Sequence, residues 1–353
     1  MVEINETPVR TSKNYNINSL KLNTLEIPKA ITEFKNKTIA IDSDEVENCS
    51  LSSEKIDLTY GLSEELTEQI ALKRNQETGL IIKSKNNSNI KIDYKLDENN
   101  NNLIDFINIV ANRDTKATIF IKYMSDEVKK AFHNGIIKIN AKPNSEINVV
   151  VINLLNNDTE NFLAIQNIIE DNAKINYTII DFGGKNSVTN YYSNLIGSEA
   201  DNRLNAIYIG KDEQVLDLNY IAELRGQKSN VNIDVQGALK DNARKHFKGT
   251  IDFKKGCKKA SGNENESCML LSDTAKAIAL PMLLCSEEDV KGEHSTSAGK
   301  IEENELFYIM SRGFEQKEAM KLMVRAKFNN ILENIKDEKL KQEILEEIDI
   351  RLD

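Results

Sequence analysis

The sequence has no tryptophan, three histidines, four cysteines and four prolines in 353 residues, and it has no excess of positive charge. Each shortage excludes something. Without tryptophan the best aromatic platform for a sugar ring is missing. Cys49, Cys257, Cys268 and Cys285 are too few and too unevenly spaced for a disulfide framework, and none forms a CxxC pair, so reduced thiols are expected. With His133, His246 and His294 as the only imidazoles, a self-contained zinc site or a fully ligated iron–sulfur site is hard to assemble, and a bound metal would need ligands from a partner. A net charge of -10 makes nucleic acid and anionic membranes poor partners. No apolar run approaches the roughly 20 residues of a spanning helix. The opening residues Met1 to Asn5 lack the basic start and apolar core of a secretory signal, so a cytoplasmic location is expected. No GxxxxGK[ST], GxGxxG or GxSxG motif is present, and the chain does not read as an ATPase or dehydrogenase by itself.

What is present divides into three zones by hydrophobic period. Residues 1–76 are mixed, with Pro8 and Pro28 as breakers and a helix expected within 62–75, where Ser63 can cap, Glu64 and Glu65 open the first turn, and Leu66, Ile70 and Ala71 recur at helical spacing. Residues 77–300 are dominated by period two: Ile90, Ile92, Tyr94 and Leu96 alternate with charged residues, and residues 117–124, 136–140 and 147–154 are similarly β-branched or apolar. Residues 125–132 read as a helical turn or a loop. Residues 301–353 return to helical spacing, with a first helix over 302–312 ending at Gly313, a second over 315–335 with a stripe of Ala319, Leu322, Met323, Ala326, Asn330 and Ile331, and a last amphipathic stretch around Leu340, Ile344, Leu345 and Ile348. These helices either dock on the core or cap its end and meet a partner.

A weak repeat runs through the middle zone. Asp171-Asn172-Ala173-Lys174, Asp241-Asn242-Ala243-Arg244 and Asp273-Thr274-Ala275-Lys276 each lead into a strand, and Glu199 to Arg203 is a looser copy. The spacing is about 30 residues or a multiple of it, which points to stacked coils with a small inward alanine at each turn. A Greek-key sandwich is the alternative, but proline, glycine and two-residue hairpin signals are all sparse here. The fold class expected is therefore mainly β, a parallel β-helix core with helical regions at both ends of the chain.

The densest chemical signal lies between Cys268 and Gly299. His294, between Glu293 and Ser295, can ligate a transition metal, with Glu293 orienting it or adding a second ligand; a surface histidine bonded to its neighbours is the ordinary alternative. Cys268 and Cys285 are candidate thiolates, although cysteines on short apolar strands usually pack as small hydrophobes. Cys257 lies among lysines, and an exposed structural role is expected for it. Abundant carboxylates keep a stand-alone β-helix enzyme acting on carbohydrate as a second class.

The run Asp289-Val290-Lys291-Gly292-Glu293-His294-Ser295-Thr296-Ser297-Ala298-Gly299-Lys300-Ile301, followed by Glu305 to Gly313, resembles the signature of the SufB/SufD family of iron–sulfur cluster assembly proteins. Leu270 to Asp273, Ala275 and Pro281 extend the match, which is concentrated in residues 266–326 and rests elsewhere on strand pattern. The resemblance implies a right-handed parallel β-helix core at 77–300, flanked by an N-terminal mixed region at 1–76 and a C-terminal helical region at 301–353. It also implies a non-catalytic subunit of a SufB, SufC and SufD complex, with sulfur supplied by a cysteine desulfurase and ATP hydrolysis supplied by SufC. The SufD branch is the better match, because the ligand cysteine of SufB falls at Glu266 and the Glu that follows its motif histidine is replaced by Ser295; a SufB-like homodimer is the alternative within the family. By the same resemblance His294, with Glu293 and Cys268 as further candidates, contributes to a transient cluster shared with SufB. Leu306, Phe307, Tyr308, Ser311, Arg312 and Gly313 then form the SufC docking segment. A flavin in the complex is compatible with the resemblance.

Overall fold

Alternation of inward and outward side chains along 76–300 winds the chain into a parallel β-solenoid in which each coil gives one strand to each of two sheets. The computed structural model describes residues 2–11, 17–22, 25–52 and 54–353; Met1, part of the opening stretch read above, lies outside them. Sheet I holds Asn87–Leu96, Lys116–Ser125, Glu146–Leu154, Lys174–Asp181, Asp201–Gly210, Asn230–Leu239, Ala260–Leu270 and Val290–Lys300. Sheet II holds Gln76–Ile82, Asn102–Ala111, Ala131–Ala141, Thr159–Ile169, Asn186–Leu195, Val215–Leu224, Arg244–Phe253 and Lys276–Cys285. Neighbouring strands are parallel and in register, one coil advancing 27 residues where Lys174 pairs with Asp201 and 31 where Asn230 pairs with Ser261. Antiparallel hairpins, which a Greek-key sandwich needs, are absent from these sixteen strands. Residues 126–130 form the turn between two coils.

The corner leading from sheet II into sheet I repeats one backbone device. Asp114, Asn144, Asn172, Glu199, Lys228 and Lys259 all adopt left-handed φ between 55° and 62°. The amide of each donates to a carbonyl on the following coil: Asn144 to Asp171, Asn172 to Ser198, Glu199 to Gln227, and Lys228 to Lys258. Left-handed backbone costs about 1–2 kcal/mol for a residue with a Cβ and is mildest for Asn and Asp. The stacked hydrogen bonds hold even Glu and Lys there. The repeat seen in sequence is therefore real but mixed. Asp171 to Lys174 and Glu199 to Arg203 mark this corner, whereas the Asp241 and Asp273 tetrads mark the opposite one, which leads into sheet II. Their alanines, Ala173, Ala200, Ala243 and Ala275, are all buried as the turn requires.

The two ends of the solenoid differ. At its start, Lys37–Ile41 pairs antiparallel with Asn87–Leu96, and Val46–Asn48 pairs antiparallel with Gln76–Ile82, so both sheets are covered. At its finish, Val290–Lys300 and Lys276–Cys285 are the last strands of their sheets and have a neighbour on one side only. Helix α1 (Glu64–Lys73) is capped by the Ser63 hydroxyl, which accepts from the Leu66 amide, and it buries Leu66 and Ile70 against the outside of sheet II. Helix α2 (Glu303–Ser311) buries nothing. Helices α3 (Gln316–Leu332) and α4 (Glu338–Leu352) lie on the outside of sheet I, with Val324, Phe328, Ile331, Ile344 and Ile348 against Phe120, Ile152, Ile180 and Ile207. The buried stripe of α3 is thus Ala319, Lys321, Val324, Phe328, Ile331 and Leu332, rotated from the one expected. Lys321 joins it because its stem is covered while its ammonium reaches Asp353 at 2.7 Å. Leu322, Met323 and Ala326 face α2 instead.

The N-terminal segment straps the outside of sheet II. Asn5 is fully buried in left-handed conformation, and its amide donates to Asp217 Oδ1 at 2.6 Å and accepts from Asn190 at 2.9 Å. Lys248 donates both to Asp217 and to the Asn5 carbonyl. Asn5→Ala removes the side-chain bonds, puts a strained residue at positive φ and leaves buried polar groups unpaired. It is expected to cost about 1–3 kcal/mol in urea unfolding; an unchanged midpoint would show that the strap contributes no stability.

Candidate functional site

The open end of the solenoid is built from its last two coils. In Ala260–Leu270 the buried positions alternate as Ala260, Gly262, Glu264, Glu266 and Cys268, which face the lumen. Parallel register carries that face onto Val290, Gly292, His294, Thr296 and Ala298 of the final strand, so His294 stands over Glu264, Thr296 over Glu266 and Ala298 over Cys268. Across the lumen, Lys245, Phe247 and Gly249 lie under Ala277, Ala279 and Pro281. No coil follows, and the final strand of sheet I, His294 included, is exposed along almost its whole length.

Beneath this surface lies a buried polar cluster that the sequence reading missed. Glu266 accepts from the Lys245 ammonium and from the Tyr208 hydroxyl, each at 2.8 Å, and both Lys245 and Glu266 are inaccessible to solvent. The Tyr208 ring lies against Gly237, where a Cβ would collide with it. Glu264 crosses the lumen toward Gly249, where a Cβ would strike its carboxyl group, and neither of its oxygens has a hydrogen-bond partner. Burial, with the Glu266 charge added, pushes the Glu264 carboxyl up to about 8. A signal for this cluster was legible: the period-two pattern puts two glutamates on the same face as Gly262 and Cys268.

The other candidates do not join His294. Cys268 is buried where the apolar core meets the Tyr208, Lys245 and Glu266 cluster, and burial raises its thiol above the ordinary range. Glu293 is adjacent to His294 in an extended strand and therefore faces outward. It lines a groove of about 1180 Å³ on sheet I, among Asn148, Asn176, Asn232, Asn263 and Lys291. His294, Glu293 and Cys268 are thus not gathered into one group, and among the described residues no three His, Cys, Asp or Glu side chains converge to hold a metal. Two cysteine readings are corrected. Cys257 is buried in the core with a raised thiol, because its turn closes against the lumen, and Cys285 is exposed, because its apolar strand is the last of its sheet.

The segment after the solenoid presents an apolar surface. Phe307 is 72% exposed and Tyr308 58%, with Met310 and Phe314 also open to solvent. Arg312 donates to the Tyr308 hydroxyl at 2.9 Å and lies 5.0 Å from its ring centre, Ser311 donates to the Tyr308 carbonyl at 2.7 Å, and Gly313 ends the helix at φ +100°. Leu306 is half-buried. A cavity of about 850 Å³ between α2 and α3 is lined by Met269, Tyr308, Ile309, Leu322 and Met323.

Residues 94–327 match the SufBD core domain of SUF-system FeS cluster assembly proteins. The chain belongs to the SufB/SufD family. Its likeness is to SufD: it is 24% identical to the iron–sulfur cluster assembly protein SufD of Bacillus subtilis over 258 residues, 72% of this chain and 59% of that protein. It is also 24% identical to SufD of Escherichia coli over 237 residues, 67% of this chain and 56% of the relative. An iron–sulfur cluster assembly SufBD family protein of Pyrococcus horikoshii is 28% identical over 167 residues, 46% of this chain and 36% of that protein. The matched part of this SufD-like chain spans a little over half the length of the two SufD relatives. Among the described residues no helix is long and apolar enough to cross a membrane.

The Glu264 carboxyl makes stability depend on pH. Its folded-state pKa is raised from 4.5 to about 8, so between those values the native state holds a proton that the unfolded chain releases, and this contribution to stability is lost as pH rises through the window. Glu264→Gln keeps the shape and removes the titration. Its melting temperature is expected to exceed that of the wild type by more above pH 8 than near pH 4.5; a constant difference across the window would contradict a buried, unpartnered carboxyl.

Proposed function

We propose that this chain is the SufD-type subunit of a SufBCD scaffold that builds iron–sulfur clusters and passes them on. The observation that carries the reading is the open end. Two parallel edge strands with unpaired N–H and C=O groups are a template for the edge strands of another solenoid. His294 is presented on that edge, at the end of the column that runs inward to Glu264. Pairing with SufB would set its thiolates opposite the imidazole, and the cluster would be cargo held jointly by the two chains, since among the described residues the exposed cysteine of this chain, Cys285, lies at the far corner.

In this reading the apolar surface of Phe307, Tyr308, Met310 and Phe314 receives the SufC ATPase. Because α2 follows directly from the final strand, movement of α2 would be transmitted to the edge that carries His294. The chain itself supplies no catalytic group: ATP is hydrolysed in SufC and sulfur comes from a cysteine desulfurase. In this reading the chain works in the cytoplasm.

The test is co-expression with SufB and SufC from the same organism, then size-exclusion chromatography and anaerobic reconstitution with iron and sulfide. A ternary complex is expected. His294→Ala should leave it intact while lowering cluster absorbance several-fold. Phe307→Ala with Tyr308→Ala should release SufC and spare SufB, because removing central aromatic anchors typically costs an interface about 2 kcal/mol or more each. A chain that elutes alone or only with itself would remove the SufD-type assignment, and normal reconstitution by His294→Ala would remove the ligand role.

A further inference from the structure

We propose that Glu264 acts with His294 as a ligand for a ferrous ion entering the open end of the solenoid, an inference that rests on the assembly role argued above. The first observation is its isolation. Buried carboxylates elsewhere in the lumen are held: Asp105 by His133 and Tyr123, Asp181 by Ser187 and Asn153, Glu266 by Lys245 and Tyr208. Among the described residues Glu264 is the buried acid with both oxygens unpartnered, although it is fully inaccessible. A polar group kept in an apolar interior without a hydrogen bond is costly, and a missing ligand is one of the few things that explains it.

The second observation is register. Glu264 and His294 are paired residues on adjacent parallel strands, His294 on the final strand at the open end and Glu264 one layer beneath it on the lumen face. Stacked strands lie about 4.8 Å apart, and two donors each about 2 Å from one metal stand at most about 4 Å from each other. The two side chains therefore start from neighbouring backbone positions at a spacing close to that of two ligands of one ion. The third observation is the seat of the carboxyl: it lies against Gly249 across the lumen, where any Cβ would strike it, so glycine at that position is what admits an acid to the interior. An imidazole with a carboxylate suits ferrous iron among divalent metals, and iron is the ion this family's cargo contains. The remaining coordination positions fall toward the open end, where water or the facing chain supplies them, in keeping with the absence of three converging ligands within the described residues.

The test is anaerobic equilibrium binding of ferrous iron to the full chain in a mildly alkaline buffer, for wild type, Glu264→Gln, His294→Ala and the outward-facing Glu293→Gln. Wild type is expected to bind one ion per chain, Glu264→Gln and His294→Ala to weaken binding by about tenfold or more, and Glu293→Gln to change it little. X-ray absorption on the wild-type iron complex, which needs no variant to fold, should show one imidazole among oxygen donors. Binding by Glu264→Gln equal to wild type, or a shell of oxygen donors without imidazole, overturns the proposal. If the wild type binds no iron alone although its complex with SufB and SufC builds clusters, the Glu264 assignment fails and the assembly role stands. If iron binds through Glu264 but no complex forms, the ligand assignment stands and the assembly role fails.

Discussion

Hydrogen bonding between successive coils governs everything else in this molecule. Each strand is satisfied on one side by the coil before it and on the other by the coil after it, so the register of one coil fixes where every inward residue of the next must lie. His294 reaches its place in this way. It is not positioned by contacts of its own side chain but by the pairing of Val290–Lys300 on Ala260–Leu270. The same pairing leaves the last coil with one set of backbone groups turned outward, and the exposed edge and the candidate ligand are therefore one feature seen from two sides.

The lumen is not uniformly apolar, and its polar residues separate into satisfied and unsatisfied sets. Tyr123, Asp105, His133, Asn161, Ser187 and Asp181 form a hydrogen-bonded file along several coils. The single Ser187 proton goes to Asp181, so Asn161 donates to Ser187 and turns its carbonyl to His133 Nδ1, which must then carry a proton. A file closed in this way specifies the stacking of its coils. Tyrosines fill the remaining width, Tyr94 stacking on Tyr123 at 5.4 Å and Tyr191 meeting Tyr177 and Tyr220 edge-on, which lets a chain without tryptophan pack a broad interior. At the open end the pattern breaks, with Glu264 left alone.

Much of the fold was legible because period and turn chemistry are local. Ser63 as a cap, Gly313 as a stop, the inward alanines and the two-residue alternation all act over a few residues, and each stands where the sequence puts it. What could not be read is set by which coil lies next to which. The tetrads look alike, yet they serve opposite corners. Lys321 looks like surface until Asp353 and sheet I enclose its stem. Cys257 and Cys285 exchange their expected exposures because one turn closes on the lumen and one strand is last. At the candidate site His294 stood out by composition and family resemblance, but Glu264 and Glu266 were passed over because charged residues in a strand read as solvent-facing. Only the stacking shows them to be inside.

The two antiparallel pairings at the beginning of the solenoid have a consequence for growth. A stack of parallel strands with both ends bare would add copies head to tail without limit, as open heterologous contacts do when no rotation closes them. Lys37–Ile41 and Val46–Asn48 run the wrong way to continue the ladder, so they terminate it at that end. Two such molecules, if joined at their bare ends as proposed above, would leave no parallel edge for a third. In the pairing proposed above, strand direction alone would thus favour a pair over a continuing parallel stack.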